Sequence, residues 1–241
     1  MAVPHRTMRQ RRVCVRPAPL VKTNGNGRAS TLDWATLIQA LPPSQTVTFP
    51  RGKTIYRTEE PAENISLILS GRVKLSRVCQ DGRETVLEIL KPGELLGETA
   101  ALAGERRREQ AQALDTVELQ SWPYSLWRAQ MEKDPRWGMF MATWLARRIQ
   151  SAYTHIESLA FDPIPRRLAR TMLENAQRFG IRLEDGRLQL APLTHEALAQ
   201  QVATSREIIT HYMNQFRQQG MLDYSRKSIE IVPERLEMLL Q

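Results

Sequence analysis

At 241 residues with 41% hydrophobic content, the chain has room for two modest domains or one large domain, and no segment approaches the roughly 20 apolar residues of a membrane span. The formal net charge is +8, but residues 1–30 hold seven Lys or Arg and no acid, so the rest carries about +1 (8 − 7) and any nucleic-acid contact needs a local patch. The two cysteines, Cys14 and Cys79, support neither a disulfide framework nor a zinc site and are typical of a reducing cytoplasm.

Residues 1–30 predict a disordered basic tail, because they show no sustained apolar period and end in turn formers. They contain no apolar run of about 7–15 residues, so they do not form a secretory signal. A high arginine content without acids is also typical of transit peptides, but a tail without function is the favoured interpretation. Such a tail would add non-specific DNA affinity by neutralising phosphates.

Residues 31–134 predict a β-rich sensor domain. A short helix over residues 32–41 ends at Pro42-Pro43, and short strands of period two, separated by glycines, follow it. Asp81-Gly82 between two of these strands is a strong hairpin signal. Strands this short and this evenly spaced favour a barrel or a sandwich. The predicted strands cover residues 46–49, 54–56, 66–70, 72–78, 84–90 and 117–122.

A long helix is predicted from Pro135 to Phe161. From Leu145 onward its apolar residues step by four and three, as in the seam of a two-stranded coiled coil. The alternative is that this stripe packs on the β-rich domain, but the stripe continues for four turns beyond the tryptophans, which favours a dimer. The predicted dimer seam consists of Leu145, Ile149, Ala152, Ile156 and Leu159.

Residues 162–241 predict a winged helix-turn-helix domain. The sequence Asp162-Pro163-Ile164-Pro165 ends the long helix and serves as a hinge, and residues 166–180 form an amphipathic helix. Residues 193–217 then predict two short helices with a tight turn between them. Thr194 is a good N-cap for the first of these helices, and Thr204 or Ser205 can cap the second.

The second helix of the pair begins Ser205-Arg206-Glu207, and this end of a recognition helix reaches base edges in the major groove. The same geometry also occurs in proteins that never touch DNA. DNA binding is favoured by the strand pair after Gly220, whose tip places basic side chains to meet phosphate. The predicted DNA-contacting residues are Arg206, Glu207, His211, Thr204, Ser205, Thr194, Arg226 and Lys227.

This order of elements resembles the Crp–Fnr family of bacterial transcription regulators over about residues 45–235. The resemblance implies an α+β fold with an N-terminal antiparallel β-roll of the cyclic-nucleotide-binding type, a dimerisation helix and a C-terminal winged helix-turn-helix. It further implies a homodimer on palindromic double-stranded DNA, with RNA polymerase as a protein partner. The residues that carry the resemblance are Gly52, Gly71-Arg72-Val73, Asp81-Gly82, Pro92-Gly93-Glu94, Gly97-Glu98, Ala146-Arg147-Arg148, Leu159-Ala160-Phe161 and Ser205-Arg206-Glu207.

The branch of that family that binds cyclic AMP uses a Gly-Glu pair and a downstream Arg-Ser pair around the cyclic phosphate and the ribose. Gly97 and Glu98 match the first pair, and Arg107 matches the cassette arginine. Arg108, however, falls on the serine, while Ala152 and Tyr153 fall on the Thr-Ser pair that contacts adenine. The resemblance therefore implies weak binding of cyclic AMP, and a cyclic nucleotide in another orientation stays open.

A second branch, the cyanobacterial nitrogen regulators that sense 2-oxoglutarate, clamps a dicarboxylate with arginines. Arg148 falls on the helix arginine of that branch, and the run over residues 106–108 would add positive charge, but Tyr153 replaces its helix acid. The alternatives are that the arginine run is a solvated loop and that the pocket binds nothing. The candidate effector residues are Gly97, Glu98, Arg107, Arg108, Arg148 and Tyr153.

The sequence does not predict a metal site, an iron–sulfur cluster, a haem or an enzyme. Two cysteines are too few for the cluster of the oxygen-sensing branch, and the four histidines lie outside the predicted strands. The barrel shows no nucleophile–base pair at useful spacing. A sensor that acts through a protein partner is an alternative to a DNA-binding regulator. Arg206 argues against it, because a protein that does not bind DNA has no use for a long donor there.

Overall fold

The structure is a computed structural model that describes residues 37, 38 and 40–241. The predicted basic tail over residues 1–30 lies outside the described residues, as does most of the helix predicted over residues 32–41. The described end of that segment packs on the sensor domain. Leu37, Ile38 and Leu41 are buried in the same apolar cluster as Trp127.

Two four-stranded antiparallel sheets form the N-terminal domain, which confirms the predicted β-roll. One sheet has the strand order β1-β8-β3-β6 and the other the order β2-β7-β4-β5. Alternate apolar residues of both sheets face each other, among them Ile68, Leu75 and Leu119, and all three are buried. The strands are β1 Thr46–Phe49, β2 Thr54–Tyr56, β3 Asn64–Ser70, β4 Val73–Val78, β5 Glu84–Leu90, β6 Leu95–Leu96, β7 Gln110–Ala113 and β8 Val117–Pro123.

The predicted hairpin at Asp81-Gly82 joins β4 to β5. Cys79 donates its backbone N–H to the carbonyl of Arg83 at 2.8 Å, which closes the turn. Gly82 has φ 83°, a left-handed conformation that favours glycine, and the Asp81 carboxylate accepts the backbone N–H of Arg83 at 3.0 Å. Local turn chemistry therefore sets the register of this sheet.

Two strands and two helices of the sensor domain lie outside the sequence prediction. They are β6, β7, α1 Glu98–Ala103 and α2 Tyr124–Lys133. Strand β7 reads QAQA, and its buried positions Ala111 and Ala113 are too small to give a clear apolar alternation. Helix α1 is only six residues long, which is too short for a helical period to show.

The long helix α3 runs from Pro135 to Phe161, the predicted bounds. Asp134 caps it by accepting the backbone N–H of Arg136 at 3.0 Å, and Pro135 is tolerated in the first turn because no intrahelical hydrogen bond is needed there. The first half of the helix buries Trp137 and Trp144 against the β-roll. The second half extends beyond this contact.

The C-terminal domain has helices on one side of a small sheet with the strand order β11-β12-β10-β9. Its core includes Leu168, Met172, Ile209 and Phe216, all of which are buried. This is the predicted winged helix-turn-helix. Its elements are α4 Ile164–Phe179, β9 Ile181–Arg182, β10 Leu188–Leu190, α5 His195–Val202, α6 Arg206–Gln218, β11 Leu222–Tyr224, β12 Ile229–Ile231 and α7 Pro233–Glu237.

Candidate functional site

The helix pair α5–α6 has the capping that its sequence predicts. Thr194 Oγ1 accepts the backbone N–H of Ala197 at 3.0 Å, and Ser205, not Thr204, caps α6 by accepting the N–H of Ile208. Ala203 ends α5 in the left-handed region with φ 54°. One residue in this conformation turns the chain within residues 203–205, so that α6 leaves at a sharp angle.

Helix α6 presents a polar face to solvent while its apolar face is buried in the domain core. Ile209, Met213 and Phe216 are buried, whereas Arg206 and His211 are exposed. Glu207 and Thr210 belong to the same polar face, Glu207 exposed and Thr210 half-buried. The face therefore offers a long donor, a carboxylate and an imidazole near the N-terminal end of the helix, where recognition helices meet base edges.

The wing lies beside this helix, and its tip is basic. Ser225 donates its N–H to the carbonyl of Ser228 at 2.8 Å, and Ser225 Oγ accepts the N–H of Lys227 at 3.1 Å. These bonds hold the tip in one conformation. Arg226 and Lys227 are both exposed there, which suits contact with phosphate.

Four residues connect the wing to the helix pair, and the sequence prediction did not place them among the DNA-contacting residues. Tyr224 of the wing donates its hydroxyl to Asn214 Oδ1 of α6 at 2.8 Å. His195 Nδ1 shares a hydrogen bond of 2.8 Å with Thr210 Oγ1, and its ring lies 5.4 Å from that of Tyr224. Burial and the charge of Arg206 lower the pKa of His195. Arg206, Thr210 and Asn214 are four residues apart, so they share one face of α6. This spacing is the sequence signal that could have identified Asn214 as part of the polar face.

The candidate effector site is an ion-pair cluster between α1 and α3. Glu98 is fully buried, and its Oε1 accepts from an Arg148 terminal nitrogen and, at 3.3 Å, from Trp144 Nε1. Arg148 also binds Glu88, with Nε to Oε2 at 3.0 Å. Burial alone lowers the pKa of Arg148, but the two carboxylates outweigh it and raise that pKa above its ordinary value. Arg148 is therefore paired on both sides by acids of its own chain.

Arg107 is buried beside this cluster, and its two terminal nitrogens donate to backbone carbonyls. It donates to the carbonyl of Gly97 and, at 2.7 Å, to that of Asn64. Its guanidinium lies 4.5 Å above the ring centre of Tyr56. Gly97 has φ 87°, and a Cβ there would collide with the Arg107 guanidinium, so both the conformation and the close approach require glycine.

Tyr56, whose ring lies under this guanidinium, is itself bonded to an acid. Tyr56 donates its hydroxyl to Glu109 Oε1 at 3.1 Å, and Glu109 is buried. Burial and the charge of Glu109 raise the pKa of Tyr56 well above its ordinary value. Two buried atoms of the region, Glu98 Oε2 and Arg107 Nε, have no hydrogen-bond partner among the described residues. We call Tyr56, Gly97, Glu98, Arg107, Glu109 and Arg148 the cradle.

Arg108 and Tyr153, two of the predicted effector residues, lie outside the cradle in the single chain. Arg108 is exposed and pairs with Glu105, Nε to Oε2 at 2.7 Å, whereas its neighbour Arg107 is buried. Arg106 is exposed as well and donates to the carbonyl of Glu59. Tyr153 is 61% exposed on α3. The arginine run thus fits the solvated-loop alternative except at Arg107.

The predicted dimer seam lies on the extending half of α3. Ile149 is 49% exposed and Ile156 is 60% exposed, and Ala152 is exposed between them. Leu145 is half-buried against the tryptophan cluster, and Leu159 is also half-buried. The middle of the seam is therefore an uncovered apolar stripe in the single chain.

Within residues 37, 38 and 40–241, no group of three or more His, Cys, Asp or Glu is placed to hold a metal ion. Over the same residues, no helix is long and apolar enough to cross a membrane.

Comparison with protein families gives one match for each domain. The cyclic nucleotide-binding domain family matches residues 46–134, and the Crp-like helix-turn-helix domain family matches residues 166–239. The first range covers the β-roll and the second covers the winged helix-turn-helix. The two matches confirm the architecture that the sequence resemblance implied.

Individual relatives match across both domains. A CRP-like cAMP-activated global transcriptional regulator of Mycobacterium tuberculosis is 33% identical over 188 residues, 78% of this chain and 84% of that protein. A global nitrogen regulator of a Nostoc species is 31% identical over 186 residues, 76% of this chain and 83% of that protein. A solved CRP/FNR family regulator from Thermus thermophilus is 27% identical with a TM-score of 0.68, covering 81% of this chain and 97% of that one.

Proposed function

The chain belongs to the Crp–Fnr family of DNA-binding transcription regulators, and from this we propose that it binds a two-fold symmetric operator as a homodimer through α6. The observation that carries the proposal is the exposed polar face of α6 beside the basic tip of the wing. The apolar stripe at Ile149 and Ile156 supports the two-fold pairing of chains, because a closed dimer covers the same patch on both subunits.

Selection of binding sequences from random duplex DNA tests this proposal. We expect a symmetric motif whose half-sites lie about 34–36 Å apart, one helical turn, because the two recognition helices enter successive major grooves. RNA polymerase is the protein partner expected of such a regulator. A selection that returns no symmetric motif would contradict the assignment.

We expect Arg206→Ala and Lys227→Ala to have different effects on DNA binding. Arg206 suits the O6 and N7 acceptors of guanine and Glu207 suits the cytosine amino group, while Lys227 faces phosphate. Arg206→Ala should cost roughly 1–3 kcal/mol and relax specificity at one base pair. Lys227→Ala should weaken all sequences alike and lower the salt slope by about one.

Affinity measured on the selected site and on single-base variants, at several salt concentrations, checks this prediction. His211 is short and exposed, so its base contact should be weaker than that of Arg206. Thr194, Thr204, Ser205 and Arg226 are proposed to hold phosphates. An Arg206→Ala variant with unchanged sequence preference would exclude the proposed orientation of α6.

We propose that the cradle does not fit a cyclic phosphate. Arg107, whose guanidinium would hold that phosphate, already donates to two backbone carbonyls and stacks on the ring of Tyr56. Arg148 is likewise shared between Glu98 and Glu88. An anion entering here would meet an Arg148 that is already paired with two acids and an Arg107 that is held by two backbone carbonyls, and it would have to displace those buried contacts. The same reasoning applies to a dicarboxylate such as 2-oxoglutarate.

We therefore expect cyclic AMP, cyclic GMP and 2-oxoglutarate to give no saturable binding below millimolar concentration in calorimetry. The reason is that buried ion pairs would have to be broken without an equivalent gain. An Arg107→Ala variant serves as the control, since any true cradle ligand should lose affinity in it. Tight binding of cyclic AMP that disappears in Arg107→Ala would overturn this interpretation.

A further inference from the structure

The first helix of the DNA-binding pair packs on the β-roll of its own chain through a polar cluster. Gln200 of α5 donates its amide to Glu84 of β5 at 3.0 Å, and its carbonyl oxygen lies 3.5 Å from Lys74 Nζ. Lys74 is 8% exposed and binds Glu84 at 2.7 Å. Burial alone raises the pKa of Glu84, but hydrogen bonds led by Lys74 and Ser76 lower it below its ordinary value. The carboxylate therefore stays charged where the two domains meet.

A second contact joins the domains at the end of α4. Arg178 Nη2 binds both carboxylate oxygens of Glu94, at 3.0 and 2.9 Å, and lies 3.7 Å from Glu88. Glu94 is buried in the turn between β5 and β6. Glu88 also binds Arg148, so this contact is continuous with the cradle through a shared carboxylate.

The hinge between α3 and α4 is held as well. Asp162 Oδ2 accepts from Ser158 Oγ at 2.8 Å and from Arg170 Nη2 at 3.0 Å, which ties the last turn of α3 to α4. The DNA-binding domain is thus attached to the rest of its chain at three separate places. None of these attachments involves Arg206 or His211, and both side chains are exposed.

We propose that the two interdomain contacts, which we call the latch, position the recognition helix for its operator in the absence of an effector. The latch consists of Lys74, Glu84 and Gln200 on one side and Glu88, Glu94 and Arg178 on the other. This inference rests on the proposed symmetric dimer. In the latch, Arg178 and Gln200 act as positioning residues, which contact the sensor domain and not the DNA.

The physical reason lies in the geometry of a symmetric complex. A hinge between α3 and α4 connects each DNA-binding domain to the rest of its chain. The distance between the two recognition helices therefore depends on how each DNA-binding domain is oriented on its β-roll. A latched domain has this orientation before binding, whereas a free domain loses conformational freedom when it binds. One base pair inserted between the half-sites rotates them by about 34° relative to each other, since a turn holds 10–10.5 base pairs. A latched dimer should therefore discriminate strongly against altered spacing.

The test uses the full-length protein and three duplexes: the symmetric site selected by the wild type, the same site with one central base pair inserted, and a single half-site. We expect Arg178→Gln and Gln200→Ala each to bind the symmetric site about tenfold more weakly, which corresponds to roughly 1.4 kcal/mol. Discrimination against the inserted base pair should shrink in both variants. Affinity for the single half-site should be unchanged, because the contacts of α6 are intact.

Arg187→Gln is the matched control for charge, because Arg187 lies in the same domain and pairs with Asp185 and Glu230 away from the latch. Arg178→Lys should restore only part of the affinity, because an ammonium keeps the charge but lacks the planar guanidinium that reaches both Glu94 and Glu88 and lies over Phe179. Variants that bind the symmetric site as well as or better than the wild type, or that keep its spacing discrimination, would overturn the latch. A fall in half-site affinity equal to the fall on the symmetric site would overturn it too. A wild type that selects no symmetric site would instead refute the proposed function and the latch with it.

Discussion

Replacing Ile149 and Ile156 by Asp is expected to convert the protein to monomers and to weaken binding to the symmetric operator by about 10²–10⁴-fold. The two side chains are 49% and 60% exposed in the single chain and are seven residues apart, one heptad of the proposed seam. Four carboxylates would meet in the paired seam of the double variant, and burying unpaired charges costs more than the seam contributes. A monomer carries only one recognition helix, so binding at one half-site would no longer strengthen binding at the second.

Sedimentation at micromolar concentration, together with titration of the symmetric site and of the half-site, measures both parts of this prediction. Affinity for the half-site should persist, because α6 and the wing are far from the substitutions in sequence and lie in a separate core. The control is Val47→Asp with Met238→Asp, which adds the same charge at two other exposed apolar residues. A wild type that sediments as a monomer, or a double variant that stays dimeric, would show that the seam is assigned wrongly.

The parts of the fold that sequence could predict are those set by local chemistry. The hairpin at Asp81-Gly82 and the cap at Thr194 follow from residues within a few positions of each other. The bounds of α3 follow from its long helical period and from Pro135 and Pro163 at its ends. Strand β7, in contrast, is specified by its pairing with β2 and β4 and not by its own residues.

The difference between local and long-range contacts also explains which site residues could be predicted from the sequence. Arg206 and Glu207 are recognisable because a helix-turn-helix is a local motif whose function depends on the start of its second helix. The cradle is not local, since Glu98 meets Arg148 across 50 residues and is neutralised by it. The sequence resemblance matched Arg107 to the cassette arginine and kept Arg108 as a candidate effector residue, and in the structure Arg107 is buried whereas Arg108 is exposed. The latch is still less visible, because Glu94 and Arg178 are 84 residues apart.

A cluster of tryptophans joins the long helix α3 to the β-roll, and its central member is Trp127 of α2. Trp127 is fully buried, with its ring centre 6.2 Å from that of Trp122 on β8 and 5.4 Å from that of Trp137 on α3. Both pairs are edge-to-face, an arrangement that adds to the energy of burial. The packing of β8, α2 and α3 against one another therefore depends on the Trp127 side chain.

Trp127→Ala is expected to lower the free energy of unfolding of the sensor domain by about 3–5 kcal/mol, because it removes a large buried ring and leaves a cavity that rigid neighbours fill only in part. Urea unfolding followed by far-ultraviolet circular dichroism measures this loss. Trp127→Phe should lose less, since a ring still contacts Trp122 and Trp137.

Arg128→Ala is the control on the same helix. Its side chain is 69% exposed and its pair with Glu132 contributes only about 0.3–0.5 kcal/mol. The half-site affinity of Trp127→Ala should equal that of the wild type, because the DNA-binding domain has its own core. An unfolding free energy within about 1 kcal/mol of the wild type would mean that the cluster does not anchor α3 as proposed, since that is the size of an ordinary single substitution.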